Sequence, residues 1–200
     1  MIRLLSLAAL VLASATAFAG PPPVTALAYR GDGKLLAAGT RGVVHLIDPA
    51  TGEIVGELPG QTARVTALAF SKSHLLAVAS GEPSRTGVVR LYDLASGKAT
   101  KPLAEFAAHA DAIYALEFSP DGKTLATAGY DRLVHLWDVP TANAKPRLTL
   151  KDHSDAVYGI AFHPEGKLLA SAAADRAVKV WDVATGKRLY TLSDPTDWVY

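Results

Sequence analysis

One stretch of the sequence contains the three residue types of a serine-hydrolase triad. His153, Ser171 and Asp175 lie within a span of 23 residues. If Ser171 were a nucleophile, His153 would act as its general base and Asp175 would orient the imidazole ring. A triad is defined by geometry and roles, so the residue types alone do not establish one.

The same set occurs a second time, which argues against catalysis. His109, Thr127 and Asp131 repeat the pattern 44 residues earlier, with threonine in the place of the serine. A tryptophan follows each acid by six residues, at Trp137 and Trp181, although a triad has no need of one. An enzyme generally builds one site, so we predict that both sets are structural.

Two other histidines invite a metal interpretation. His45 and His135 occupy equivalent positions of a repeated unit, where two other copies have Arg90 and Lys179. A position that accepts His, Arg and Lys is typical of a polar strand site, and no acidic ligand pattern accompanies these histidines. The sequence also lacks an HExxH pair, a phosphate-binding loop and a calcium loop. We predict no catalytic residue, no metal site and no cofactor.

Composition excludes several further classes of function. The 200 residues are 50% hydrophobic, which argues against disorder. With 20 Lys and Arg against 19 Asp and Glu, the chain has no basic field for nucleic acid. The absence of cysteine excludes disulfides and thiolate metal sites within this sequence.

The first 19 residues predict a secretory signal. Arg3 supplies a positive charge, residues 4–13 are apolar, and Ala17-Phe18-Ala19 fits a cleavage site. A proline-rich lead follows at 20–23, and no later apolar stretch is long enough to span a membrane. We therefore predict export to the periplasm or the extracellular space. Retention of the signal as an uncleaved anchor is the alternative.

Four copies of one unit occupy the rest of the chain. They end in acids 45, 45 and 44 residues apart, namely Asp48, Asp93, Asp138 and Asp182. Within each copy, aliphatic and aromatic runs are separated by turns rich in Gly, Pro and Asp, such as 119–123. No long window after the signal has helical periodicity. Four strands per unit predict the blade of a β-propeller, which must stack on neighbours to bury both faces.

Trp137-Asp138 and Trp181-Asp182, each preceded by a histidine, resemble the WD-repeat β-propeller family. The resemblance covers about residues 24–200 and is looser in the first two copies, where Ile47 and Tyr92 replace the tryptophan. It implies an all-β propeller of four-stranded antiparallel blades. We expect four blades at about 24–60, 61–106, 109–151 and 153–192, and the start of a fifth at 194–200. The chain would then be an N-terminal portion of a longer propeller, similar to exported bacterial-type members.

The resemblance also implies a role for the two repeated sets. In each, the tryptophan would donate to the hydroxyl, the hydroxyl would bond the histidine, and the histidine would bond the aspartate. The predicted structural network comprises His109, Thr127, Asp131, Trp137, His153, Ser171, Asp175 and Trp181. The first two copies lack the set, so we expect their blades to depend more on apolar packing.

By the same resemblance, one end of the innermost strands borders a central channel. Basic and aromatic residues at this end form a candidate partner-binding rim of Arg64, Tyr114, Tyr130, Tyr158, Trp198 and Tyr200. Tyrosine and tryptophan join an apolar ring to a polar tip and are enriched among interface anchors. The alternative is that these tyrosines only pack the strand ends.

These observations favour a non-catalytic scaffold that binds protein or peptide partners. We expect that it does not bind nucleic acid and that it has no membrane span once the signal is removed. The alternative is the propeller part of a larger exported enzyme or electron-transfer protein. That protein would carry a fused cytochrome-type or hydrolase domain, and residues beyond 200 would supply its site. A propeller fold by itself does not decide between them.

Overall fold

A computed structural model describes residues 22–97, 99, 101–139 and 145–193. The predicted signal at 1–19 and the predicted start of a fifth blade at 194–200 lie outside these residues. The described part of the chain consists of strands joined by turns and loops. It therefore contains no helix of the length and apolar character needed to cross a bilayer.

The first two blades form one continuous sheet of seven antiparallel strands, in sequence order. Their strands are β1 (Ala26–Tyr29), β2 (Leu36–Gly39), β3 (Arg41–Ile47), β4 (Ile54–Phe70), β5 (Leu75–Ser80), β6 (Gly87–Asp93) and β7 (Ala104–His109). β4 belongs to both blades, because its first part pairs with β3 and its last part with β5. The chain thus passes from blade one to blade two within a single 17-residue strand.

The third and fourth blades are separate four-stranded antiparallel sheets. Blade three contains β8 (Ile113–Phe118), β9 (Thr124–Gly129), β10 (Val134–Asp138) and β11 (Leu148–Leu150). Blade four contains β12 (Val157–Phe162), β13 (Leu168–Ala173), β14 (Val178–Asp182) and β15 (Arg188–Leu192). The predicted all-β architecture of four-stranded antiparallel blades is confirmed.

The hydrophobic core consists of three layers, each between two consecutive blades. In β9, Leu125 packs toward blade two, whereas Ala126 packs toward blade four. Side chains alternate across a strand, so a strand that is apolar at successive positions buries both of its faces. Phe106 of blade two and Trp137 of blade three meet across one such layer, with ring centroids 4.5 Å apart. This stacking is why one blade could not fold alone.

The connections between blades and the turns between second and third strands lie at the same end of the molecule. The backbone N–H groups of Gly81, Tyr130 and Ala174 each donate to a carbonyl of the segment that leads into their own blade, at 2.9–3.1 Å. We call this end the loop face. It comprises residues 39–42, 59–66, 80–87, 109–114, 129–133, 151–158 and 173–178. All residues of the predicted rim that the structure describes belong to it.

Candidate functional site

Blade four brings its four predicted network residues into one hydrogen-bonded chain. The indole N–H of Trp181 donates to Ser171 Oγ at 2.8 Å. His153 Nε2 lies 2.7 Å from the same oxygen, and His153 Nδ1 lies 2.8 Å from Asp175 Oδ2. This series of hydrogen bonds connects four segments of blade four: β14, β13, the loop before β12 and the turn after β13.

Blade three contains the same arrangement at the equivalent positions. Trp137 Nε1 donates to Thr127 Oγ1 at 3.0 Å, and His109 Nε2 lies 2.7 Å from that oxygen. His109 Nδ1 lies 2.9 and 3.0 Å from the two carboxylate oxygens of Asp131. Serine and threonine are equivalent here, because only the hydroxyl takes part.

Electrostatics determine which atom donates in blade four. Burial would raise the pKa of Asp175, but hydrogen bonds from His153 and from the Ser154 backbone outweigh it and hold that pKa below its usual value. Burial lowers the pKa of His153, against the raising effect of Asp175. A carboxylate only accepts, so a neutral His153 donates from Nδ1 and accepts from the Ser171 hydroxyl at Nε2. The hydroxyl oxygen in turn accepts from Trp181, and each group is satisfied.

This geometry does not suit a nucleophile. Ser171 is 1% exposed and the side chain of His153 is also 1% exposed. A substrate carbonyl has no approach to the Ser171 oxygen, which already receives a hydrogen bond from Trp181. The arrangement joins four segments of one blade, and a buried network of this kind stabilises only when every member is paired.

Three side chains in blade three could offer ligands to a metal ion. One ligand atom each from His109, Asp131 and His135 lies within 4.8 Å of the others. Both ring nitrogens of His109 already have hydrogen-bond partners, and His135 Nδ1 lies 2.9 Å from Thr149 Oγ1. A metal would therefore have to replace the His109–Asp131 hydrogen bond, so these residues fit a hydrogen-bonded network better than a ligand set.

Blade two contains a polar network that the sequence analysis missed. Arg90 donates from Nε and Nη2 to the carboxylate of Glu105, both at 3.0 Å, and from Nη1 to Gln61 and Ser80, both at 3.3 Å. Gln61 also donates to the Tyr92 hydroxyl at 3.0 Å. Blade two therefore does not depend on apolar packing alone, and the expectation that it depends more on such packing than blades three and four stays a prediction. Gln61 precedes its inner-strand segment by four residues, as His109 does, and that alignment could have revealed it.

The tyrosines of the predicted rim lie together on the loop face. Tyr114 and Tyr158, from the inner strands of adjacent blades, have ring centroids 4.9 Å apart. Tyr130 meets the edge of Tyr114 at 6.3 Å and is 51% exposed. We call these three residues the tyrosine cluster. Trp198 and Tyr200 lie outside the described residues.

Arg64 lies beside the tyrosine cluster and shares a pocket with Tyr114. Burial raises the pKa of Tyr114, as do the neighbouring Tyr158, Asp111 and Tyr130, while Arg64 lowers it. The phenol of Tyr114 is therefore protonated at neutral pH and can donate a hydrogen bond. The four described residues of the predicted rim thus form one surface with apolar rings, hydroxyls and a guanidinium.

Comparison with known proteins identifies a repeat family over more than half of the chain. The family described as "WD domain, G-beta repeat" matches residues 52–93, 100–138 and 144–182. Each matched segment ends at the acid that closes a copy of the repeat.

Several individual proteins are similar over part of the chain. The anaphase-promoting complex subunit cdh1 of Dictyostelium discoideum is 35% identical over 120 residues, which is 58% of this chain and 15% of that protein. The Polycomb protein esc of Drosophila melanogaster is 28% identical over 116 residues, or 58% of this chain and 27% of that protein. The chain therefore matches only about a quarter or less of these relatives' lengths.

A solved structure has a similar fold. A chain in the crystal structure of a mitotic checkpoint complex superimposes with a TM-score of 0.78 at 27% sequence identity. The match covers 86% of this chain and 53% of the other.

Proposed function

This chain belongs to the WD domain, G-beta repeat family, and from that premise we propose that it is a non-catalytic scaffold that docks protein or peptide partners on its loop face. The tyrosine cluster is the observation that carries the proposal. Tyr114, Tyr130 and Tyr158 form a group of partly exposed rings, two on the inner strands of adjacent blades and one in a turn. Rings of this kind offer large contact area at low entropic cost.

The alternative role of the tyrosines, packing the strand ends, explains less of their arrangement. Tyr130 lies in a turn and not in a strand, and it is 51% exposed while it contacts Tyr114 by its edge. The apolar layers between the blades are complete without these three rings. Two similar proteins also support a docking role, because both are parts of protein assemblies. One is a subunit of the anaphase-promoting complex, and the other is a chain in a mitotic checkpoint complex.

The docking proposal is tested by affinity capture with the full chain as bait, followed by identification of the captured proteins. We expect Tyr114→Ala combined with Tyr158→Ala to lose at least about tenfold of the specific capture, because large aromatic anchors often contribute about 2 kcal/mol or more each. The matched control is Tyr29→Ala combined with Tyr190→Ala, since these tyrosines are 61% and 51% exposed and lie away from the cluster.

Melting temperatures of both double variants show whether the fold is retained. Equal capture by the wild type and the Tyr114/Tyr158 variant, with both folded, would remove the loop face as the docking site. Equal loss in both double variants would also contradict the proposal, because it would indicate a general surface effect.

We also propose that the protein acts outside the cytoplasm, in the periplasm or the extracellular space. The charged start, apolar run and Ala17-Phe18-Ala19 of the first 19 residues support this. In a fusion of residues 1–25 to a reporter that is active only after export, the wild-type segment should give activity. Interrupting the apolar run with Leu10→Arg should abolish it, and a reporter that stays inactive with the wild-type segment contradicts the proposal.

A further inference from the structure

A pocket of about 460 Å³ opens on the loop face next to the tyrosine cluster. The residues with polar side chains that line it are Arg41, Arg64, Thr66, Glu82 and Tyr114. It lies where the first three blades meet, so its shape depends on their stacking. Tyr114 lines the pocket and also contacts the exposed ring of Tyr130, so a ligand that extends from the pocket past Tyr114 would meet that ring.

The residues that line the pocket include two arginines and one glutamate, so they carry a net charge of +1. Arg41 Nη2 lies 2.7 Å from Glu82 Oε1, which neutralises that pair. Arg64 is exposed and forms no ion pair with any residue that the structure describes. A single guanidinium without a partner favours a single carboxylate, which it can bind with two parallel hydrogen bonds.

Asp111, the acid next to the pocket residue Ala112, is held by the backbone. Its Oδ1 accepts from the N–H groups of Ser84 and Ala112, at 2.8 and 2.7 Å. These bonds fix the carboxylate on the loop, and its negative charge is one of the causes that raise the pKa of Tyr114. Tyr114, by contrast, is a lining residue of the pocket and carries a hydroxyl that can donate to an anionic ligand.

The surroundings decide between kinds of ligand. A cationic side chain would meet the tyrosine rings but would also meet Arg64, and like charges at short range repel. A nucleic acid would need several cations for successive phosphates, whereas this chain has a formal charge of +1. A peptide with one acidic and one large apolar residue matches both parts of the surface: the acid suits Arg64 in the pocket, and the apolar residue suits the tyrosine cluster.

We propose that the pocket binds the side-chain carboxylate of an Asp or Glu in an extended peptide, with the adjacent aromatic or aliphatic residue packed on the tyrosine cluster. Arg64 is the specificity-determining residue. Tyr114 contributes to both parts, through its hydroxyl and its ring. The inference deepens the proposed docking function and rests on it.

The test is selection of a displayed random peptide library on the immobilised full chain, followed by affinity measurement on the most enriched peptide. We expect enrichment of an acid next to an aromatic or aliphatic residue. Replacing that acid by its amide should weaken binding about tenfold or more, because the uncharged amide cannot accept two parallel hydrogen bonds from the Arg64 guanidinium. In Arg64→Gln the acid and amide peptides should bind equally, and Arg64→Lys should restore part of the difference.

Arg176→Gln is the matched control, because Arg176 is exposed on the same face in blade four and does not line the pocket. It should leave the preference for the acid unchanged. Enrichment of basic peptides, no enrichment, or an acid preference that survives Arg64→Gln would each overturn the inference. If enrichment depends on Tyr114 and Tyr158 but not on Arg64, the carboxylate site is wrong while the docking function stands. If peptide enrichment depends neither on Arg64 nor on Tyr114 and Tyr158, both the carboxylate site and the docking function on the loop face are wrong.

Discussion

The position of one proton sets the direction of each hydrogen bond in the network of blade four. With Asp175 ionised, the His153 ring must donate from Nδ1, and its other nitrogen must accept. Ser171 is the partner of that nitrogen among the described residues, so its hydroxyl proton is donated to His153 while its oxygen receives the indole N–H. Every group depends on the next, so loss of one member leaves a buried group without a partner.

We predict that Asp175→Ala lowers the free energy of unfolding by about 1–3 kcal/mol, because it leaves buried donors without an acceptor. The buried donors that would lose their partner are His153 Nδ1 and the backbone N–H of Ala177, while water can replace the bond to the exposed N–H of Ser154. Chemical denaturation measures the change. Glu53→Ala is the control, since Glu53 is exposed and its side chain is not part of a network. Equal stability of the two variants would contradict a structural role for Asp175.

The buried ring of His135 predicts a second effect, on pH dependence. Burial, with a further contribution from His109, lowers the pKa of His135 from 6.5 to about 4. Between these values the unfolded chain binds a proton that the folded chain does not. Stability is therefore fully present above about pH 6.5 and falls as the pH drops toward about 4, by about 2–3 kcal/mol in all.

His135→Gln should reduce this loss, because glutamine does not titrate and can keep a hydrogen bond to Thr149. Melting curves at about pH 7 and about pH 4.5 measure it, and the drop should be smaller in the variant. Asp131 and Asp175 have lowered pKa values, so their contribution is lost at still lower pH in both proteins. An equal drop in the two proteins would show that His135 is not responsible.

At the scale of the element, the third strand of each blade has one position that takes a long polar side chain. It is His45 in β3, Arg90 in β6, His135 in β10 and Lys179 in β14. The last three are buried, and each has its own polar partners. The position is therefore structurally equivalent in the blades, but the residue type and its partners differ. In blade two this residue, Arg90, is the centre of the polar network with Gln61, Ser80 and Glu105.

We predict that Arg90→Met destabilises the protein by about 1–3 kcal/mol, because it leaves the amide of Gln61 and the hydroxyl of Ser80 buried with fewer partners. Glu105→Gln is the matched control. The glutamine of this variant keeps a side-chain oxygen that can accept from Arg90 in the place of the carboxylate, and the Glu105 side chain is 50% exposed, so water reaches this pair and the loss should be below about 1 kcal/mol. Hydrogen exchange in β6 and β7 should rise only in Arg90→Met. A larger effect from Glu105→Gln would contradict this assignment.

At the scale of the whole molecule, stacking of blades creates the surface on which the proposals depend. Tyr114 and Tyr158 belong to different blades, and Arg64 belongs to a third. Their proximity follows from the packing of inner strands around an axis. A single blade would carry one of these residues and could not form the tyrosine cluster or the pocket.

Much of the fold could be predicted from the repeat. The turn predicted at 119–123 separates β8, which ends at Phe118, from β9, which begins at Thr124. Turn residues of this kind determine where strands stop, because proline fixes the local backbone and glycine allows conformations that end a strand. The uninterrupted β4 was not predicted, since Pro59 and Gly60 are typical of a break.

The sequence by itself determined the repeat, the number of strands in each copy and the residues of the two histidine networks, because these depend on local spacing and on chemistry that recurs. Only the tertiary structure decided which rim residues meet. Arg64 and Tyr114 are 50 residues apart and belong to different blades. No local pattern encodes such distances, because the stacking of whole sheets brings these side chains together.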